Sequence, residues 1–335
     1  MIDGTPRFLI VRLSSLGDVI HAMPAVAALR RRYPEARIDW LINPGYVVLL
    51  KLMIGLDDRI GINTHGPIAT TLGTIVALRR NRYDAVVDLQ GLLKSAVLAR
   101  SAGARETIGF AGQQLREPLA GPLYSRRVDV SKAGHVIEQH LDMVATLGVT
   151  DRRVMFPIDV PHTPVADRLL EEFGRDEFVL INPGASWPNK RWPPARFGQL
   201  AAAVRERRGL RSLVVWGPGE QTMAETIVQE SRGAALVAPP TSIPDVFALS
   251  HRARVMVSGD TGPLHIAGAL GTPIVALFGP TRHEKHGPWA PADISLSRAD
   301  RCVCQYQRRC RLGTPCIDDI SVEDVTAAVE RRLDA

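Results

Sequence analysis

Aromatic side chains are scarce in this chain: Phe, Trp and Tyr make up 5% of its 335 residues. Stacking platforms for unpaired bases need such rings, and no contiguous basic tract stands in for them, so no nucleic-acid partner is expected. Long apolar stretches are missing too. No run of about 20 uncharged apolar residues occurs, the length that spans a bilayer as a helix. The residues Met1 to Arg7 have neither the basic start nor the apolar stretch of an export signal, and a cytoplasmic protein is expected. Several motifs are absent as well: a Gly-x-Gly-x-x-Gly turn after the first strand, a Walker A loop, a His-Glu-x-x-His helix and a paired-carboxylate glycosidase pattern. Cysteine does not occur before position 302. Cys302, Cys304, Cys310 and Cys316 then follow in the spacing C-x-C-x5-C-x5-C, which is not the two CxxC pairs of a zinc ribbon. That clustering leaves three readings open: a structural Zn or Fe site, free thiols in a loop, or disulfides. None of them needs to be catalytic.

What is present is enough apolar material, 45% of the residues, for two cores of ordinary size. The formal net charge of +6 suits an anionic partner, but the arginines are scattered and do not choose one. Apolar runs of strand length alternate with segments of helical spacing. In the first half the strands are Phe8–Arg12, Ile38–Ile42 and Tyr83–Asp88. Helices are expected over Val19–Tyr33, Tyr46–Ile54, Leu72–Arg82, Gln90–Ala102 and Ile137–Leu147. Three prolines between about Met155 and Arg168 mark a linker. A second series follows, with strands at Phe178–Asn182, Ser212–Trp216, Arg254–Ser258 and Thr272–Phe278. Its helices are expected at Pro194–Arg208, Gln221–Ser231, Ser242–Ser250, from about Leu264, and at Ser321–Leu333. Such alternation implies an α/β chain of two doubly wound, Rossmann-like domains, 1–160 and 161–335, facing one another across a cleft.

The residues with chemistry fall where these strands end. Ser14-Ser-Leu-Gly-Asp18 follows the first strand, and Asp18 is either a helix-dipole partner or a general base for an acceptor hydroxyl. Ser258-Gly-Asp-Thr-Gly-Pro-Leu-His265 reads as a strand, a turn and a helix start. Free backbone N–H groups there attract a diphosphate, with Thr261 and His265 as further donors. The bland alternative is a turn capped by Asp260. Ser186 and Lys190 lie on a proline-stiffened loop after the Phe178 strand, where a lysine can neutralise a leaving phosphate or simply be solvated. Glu220 is a candidate acceptor for sugar hydroxyls, and Thr241 stands at a helix start.

Taken together, several pieces resemble the ADP-heptose:lipopolysaccharide heptosyltransferases, glycosyltransferase family 9, over nearly the whole chain. They are Arg12-Leu-Ser-Ser-Leu-Gly-Asp-Val-Ile-His-Ala-Met-Pro24, Asp88-Leu-Gln-Gly-Leu-Leu-Lys-Ser95, Arg116-Glu-Pro-Leu-Ala120, Asn182-Pro-Gly-Ala-Ser186, Lys190-Arg-Trp-Pro193 and Ser258–His265. The second and third are most similar to the heptosyltransferase I branch. The resemblance implies a GT-B fold and an inverting, metal-independent transfer of heptose from ADP-heptose to the octulosonic acid of lipid A. It makes Asp18 the base. Ser186 and Lys190 become phosphate ligands, Asp260, Thr261, Gly262 and His265 the diphosphate and sugar turn, and Glu220 and Thr241 the adenosine contacts. It also implies acceptor binding by Ser15, Lys94, Arg116 and His135, an acceptor domain preceding a nucleotide-sugar domain, and peripheral work at the inner face of the cytoplasmic membrane. Two departures stand out. Heptosyltransferase I enzymes carry an Arg/Lys-dense helix for the phosphorylated acceptor, whereas Asn63–Thr74 is nearly uncharged here. The cysteine spacing also differs from that of relatives that hold iron and glycosylate autotransporter proteins, which leaves a protein acceptor, or a non-catalytic nucleotide-sugar binder, as alternatives.

Overall fold

A computed structural model describes residues 5–64, 66–131, 134–173 and 177–335. Part of the N-terminal stretch tested for an export signal, Met1–Gly4, lies outside them. The chain forms two compact units, Met1–Asp159 and Val160–Ala335. Among the described residues, each holds one six-stranded parallel sheet.

The first unit runs β1 (Arg7–Val11), α1 (Leu16–Arg32), β2 (Arg37–Ile42), α2 (Val47–Lys51), β3 (Asp58–Gly61) and α3 (Ile68–Arg80). It continues through β4 (Ala85–Asp88), α4 (Leu93–Ser101), β5 (Glu106–Phe110), β6 (Arg126–Val128) and α5 (Val136–Ala145). Its strand order is β3-β2-β1-β4-β5-β6. Both faces of the central strands are buried, so Phe8-Leu-Ile-Val11 is a continuous apolar run rather than an alternating one. Leu9, Val11, Leu41 and Val86 share one cluster with Leu78 of α3 and Leu98 of α4.

The second unit begins with α6 (Pro164–Phe173), β7 (Phe178–Asn182), α7 (Pro194–Arg208), β8 (Arg211–Val214), α8 (Gln221–Glu230), β9 (Ala235–Val237) and α9 (Ile243–Arg252). Next come β10 (Val255–Gly259), α10 (Gly262–Ala269), β11 (Ile274–Phe278), α11 (His283–His286), β12 (Ile294–Ser297) and α12 (Val322–Asp334). The order β12-β11-β10-β7-β8-β9 repeats the winding of the first sheet. One face packs Val179, Ile181 and Val257 against Phe197, Ile227 and Val325. The other packs Leu180 and Met256 against Phe173, Leu249 and Leu264.

Most differences from the expected elements have local causes. The linker reading extended to Arg168, yet α6 starts at Pro164: its prolyl φ suits a first helical residue, and Thr163 caps the turn by accepting from Ala166 N at 3.2 Å. Helix α1 begins at Leu16 rather than Val19, α10 at Gly262 rather than Leu264, and α4 at Leu93 rather than Gln90. In the last case Gly91, at φ +70°, is spent on the turn before the helix. Helix α2 stops at Lys51, well short of Ile54, and Met53 then bridges Ile158. Strands β3, β5, β6, β9 and β12 were not anticipated. Asp58-Arg-Ile-Gly61 and Arg126-Arg-Val128 have too few apolar residues to show a period, as suits short strands at or near a sheet edge.

Candidate active site

In a doubly wound sheet, ligands bind beyond the carboxyl ends of the strands where the winding reverses. In the first unit that point lies between β1 and β4, and in the second between β7 and β10. Ser15 and Asp18 lie beyond β1, and Lys190, Asp260, Thr261 and His265 lie beyond β7 and β10.

Beyond β1, Ser15 precedes α1 and Asp18 lies in its first turn. Ser15 donates to Asp18 Oδ2 from its backbone N (3.0 Å) and its hydroxyl (2.8 Å), so the capping role is realised. The other oxygen, Oδ1, pairs with Arg12 Nη2 at 2.6 Å. Burial works to raise the Asp18 pKa, but the Arg12 guanidinium, the Ser15 bonds and the charge of Arg116 together hold it well below the usual carboxylate range. Asp18 is therefore ionised at neutral pH while still partly exposed. Arg12 is almost wholly buried and also donates to the Leu89 carbonyl.

The turn after β4 holds this arrangement in place. Asp88 Oδ1 accepts from Gln90 N (2.8 Å) and Oδ2 from the Tyr124 hydroxyl (2.7 Å), while Gln90 Oε1 accepts from Leu13 N at 2.8 Å. The motif Asp88-Leu-Gln-Gly91 is thus a clamp between two turns rather than a ligand contact. Glu117 of the Arg-Glu-Pro piece accepts from Leu93 N at 2.7 Å and caps α4. Lys94, exposed in the first turn of α4, lines a cleft of about 440 Å³ with Leu13, Ser14, Asn43, Tyr46 and Thr64. Arg116 is exposed, and its charge reaches both Arg12 and Asp18. His135 stands at the start of α5, accepting from Ile137 N at 3.2 Å with its ring edge-on to His21.

Three residues of this site escaped the sequence reading: Arg12, Tyr124 and His140. His140 is buried, and its Nδ1 lies 3.0 Å from the His21 carbonyl of α1, so Nδ1 carries the proton; Nε2 has no hydrogen-bond partner. Burial, then Arg12, pushes its pKa down to about 3, and it is neutral at pH 7. A lone histidine in an amphipathic helix gives no signal of this kind.

Beyond β7 and β10, Lys190 and Asp260 form an ion pair at 2.5 Å, both largely buried. Thr281 donates to Asp260 Oδ2 at 2.8 Å and His265 Nε2 lies 3.4 Å from Oδ1. Burial opposes ionisation of Asp260, yet His265 and Lys190 together hold its pKa far below normal. Lys190 also sits 4.6 Å above the Trp187 ring, and Trp192, donating to the Ile320 carbonyl at 2.9 Å, anchors the loop in the core. A Cβ on Gly259 would come within 2.9 Å of the Lys190 carbonyl, so this glycine admits the lysine loop rather than a ligand. Thr261 precedes Gly262 at the start of α10, and Asn182 Nδ2 donates to Thr261 Oγ1 and Ser258 Oγ, each at 3.0 Å. Glu220 accepts from Gly217 N at 2.9 Å and packs over Gly184, where a Cβ would collide with its carboxylate. Ser186 is exposed and Thr241 half-buried. The neighbouring Ser242, not Thr241, caps α9.

Of the three readings left open for the cysteines, the structural metal site finds no support. Among the described residues, no group of three or more His, Cys, Asp or Glu side chains could hold a metal ion. Cys304 and Cys310 have their sulfurs 3.9 Å apart, and Arg311 N donates to Cys304. Burial, then the neighbouring Cys302, pushes the Cys316 thiol up to about 12.

Two parallel doubly wound units, each with polar and charged side chains at its switch point, are the α/β arrangement of the GT-B fold. The profile of glycosyltransferase family 9 (heptosyltransferase) matches residues 73–315, and the chain belongs to that family. It is 29% identical to lipopolysaccharide heptosyltransferase 1 of Pseudomonas aeruginosa, over 91% of this chain and 87% of that protein. Identity to lipopolysaccharide heptosyltransferase 3 of Escherichia coli is 27%, with 95% of each covered. Among solved structures, the E. coli heptosyltransferase WaaC with ADP aligns at a TM-score of 0.75 and 25% identity, covering 98% of both chains. A family 9 glycosyltransferase from Veillonella parvula shares the fold at a TM-score of 0.82, with 98% of this chain and 97% of that one aligned at 23% identity. No helix among the described residues is long and apolar enough to cross a membrane.

Proposed function

We propose that this enzyme moves a heptose from ADP-heptose to the octulosonic acid of a lipopolysaccharide inner core, with inversion and without a metal ion. The acceptor hydroxyl attacks the anomeric carbon as Asp18 takes its proton, and the bond to the diphosphate breaks on the opposite face. The observation that carries this reading is the pair of switch points: an ionised carboxylate at one, a cation beside an open helix start at the other.

A carboxylate held as tightly as Asp18 is a weak base in the free enzyme. An acceptor hydroxyl that takes the place of the Ser15 hydroxyl on Oδ2 exchanges one donor for another, and its proton passes to that oxygen as the bond to the anomeric carbon forms and the hydroxyl becomes acidic. Ser15, Lys94, Arg116 and His135 then form the acceptor side, with Lys94 and Arg116 as partners for its carboxylate. On the donor side, the diphosphate competes with Asp260 for Lys190 and meets Ser186, Thr261, Gly262 and the free N–H groups of α10. Asp260 can only accept hydrogen bonds, which suits heptose hydroxyls, and His265 stands beside it. Glu220 and Thr241 serve the adenosine. The first unit is then the acceptor domain and the second the nucleotide-sugar domain. The protein works in the cytoplasm at the inner face of the membrane. Support also comes from relatives named as lipopolysaccharide heptosyltransferases and from WaaC solved with ADP-2-deoxy-2-fluoro heptose.

The test is mass spectrometry after incubation with ADP-heptose and either lipid A bearing the octulosonic acid or an autotransporter fragment. A mass gain of one heptose on the lipid, with release of ADP, is expected. Gain on the fragment alone would replace the acceptor, and no donor consumption would leave a non-catalytic binder.

A further inference from the structure

Helix α3 is an odd surface helix. Leu72 is 56% exposed and Val76 50%, one turn apart, and no charge occurs before its last turn. Helix α4 repeats the pattern with Leu93 (37%) and Val97 (44%). Arg79 of α3 donates to the Ser101 carbonyl at the end of α4, at 2.9 Å. That bond ties the C-terminal ends of the two helices together, and each helix carries one exposed apolar pair.

The charges carried by these helices and the turns beside them are of one sign, with carboxylates at their borders: Asp84 beside Arg105, and Glu117, which accepts from Leu93 N. No Asp or Glu occurs from Ile60 to Tyr83 or from Leu89 to Arg105, whereas Arg79, Arg80, Arg82, Lys94, Arg100 and Arg105 do. All six are exposed, and among the described residues only Arg105 of the six forms an ion pair, with Asp84 at 3.6 Å. An apolar strip edged by unneutralised cations matches a bilayer with anionic headgroups: side chains enter the acyl boundary while arginines reach the phosphates. The strip ends at Lys94, on the rim of the cleft beside Ser14.

We propose that the α3–α4 face is a docking surface for an anionic phospholipid bilayer, seating the first unit so that a lipid-borne sugar reaches the Ser14–Lys94 cleft. The choice of a lipid-borne acceptor rests on the function proposed above; the docking itself does not. The membrane, rather than a set of side chains, then holds the acceptor in place, in keeping with an Asn63–Thr74 segment that has no Lys or Arg.

The experiment is cosedimentation of the full chain with phosphatidylethanolamine/phosphatidylglycerol vesicles and with phosphatidylcholine vesicles, alongside transfer to a deacylated, soluble acceptor. Binding to the anionic vesicles only is expected. The double variant Leu72→Gln/Val76→Gln keeps helix propensity and should bind about tenfold more weakly, with transfer to the soluble acceptor unchanged. Arg80→Gln/Arg82→Gln should weaken binding in low salt most. Equal binding by wild type and both variants would overturn the docking face, as would loss on Val303→Ser/Leu312→Ser instead, since those residues are exposed in the cysteine segment of the other unit. Vesicle binding without transfer to any acceptor would overturn the function and leave the docking face standing.

Discussion

Two carboxylates, Asp18 and Asp260, sit partly or largely buried and are held ionised by Arg12 and Lys190. Their depressed pKa values contribute stability above the ordinary carboxylate range near pH 4, and that stability is lost as pH falls through the folded-state values. His140 acts higher on the scale. Its pKa is depressed to about 3, so below about pH 6.5 the unfolded chain takes up a proton that the folded chain refuses. Stability should therefore fall towards acid from pH 6.5, at up to about 1.4 kcal/mol per pH unit for this one group. Asn at 140 can place an amide N–H where Nδ1–H stands. Urea unfolding of His140→Asn between pH 7 and 4.5 should show that slope reduced by about one proton; an unchanged slope would mean His140 is not the source. From sequence, Asp18, Lys190 and Asp260 were all legible because each stands in a turn after a strand. What held them was not. Arg12 lies within an apolar run, and the Lys190–Asp260 bond joins residues 70 positions apart.

At the scale of elements, part of each family motif fixes a turn. Gln90 is one such part: Gln90→Ala leaves Leu13 N–H without its acceptor in a buried place, a cost of about 1–3 kcal/mol. A lower Tm should accompany a larger loss in kcat than in donor affinity, because the disturbed turn carries Ser14 and Ser15. Gly259 tests the other unit. Alanine there meets the Lys190 carbonyl at 2.9 Å, so the lysine loop must shift; KM for ADP-heptose should rise several-fold and Tm should fall. Unaltered donor KM in Gly259→Ala would show that the loop has no part in donor binding. Strand-to-helix alternation was readable wherever the strand was central and apolar, as in Phe178–Asn182, found as expected from end to end. It failed for the edge strands, where charge and shortness erase the period, for the internal β5, whose Glu106-Thr-Ile-Gly-Phe110 has only two large apolar residues, and at helix starts, where a cap or a glycine moves the boundary.

At the scale of the molecule, two sheets wound in the same order place their switch points at β1/β4 and β7/β10. If the donor belongs to the second unit, ADP should protect it alone. Hydrogen exchange with ADP at about 100 times its Kd, worth about 2.7 kcal/mol of stabilisation, should slow the Lys190 loop and the start of α10 while the turn after β1 exchanges as before. Protection confined to the first unit would reverse the assignment. The central claim, that the first unit supplies the base, is tested most directly by the kcat of Asp18→Asn beside its affinity for ADP-heptose. A fall in kcat of about 10²–10⁴-fold with donor Kd unchanged is expected; full turnover by the variant would contradict it.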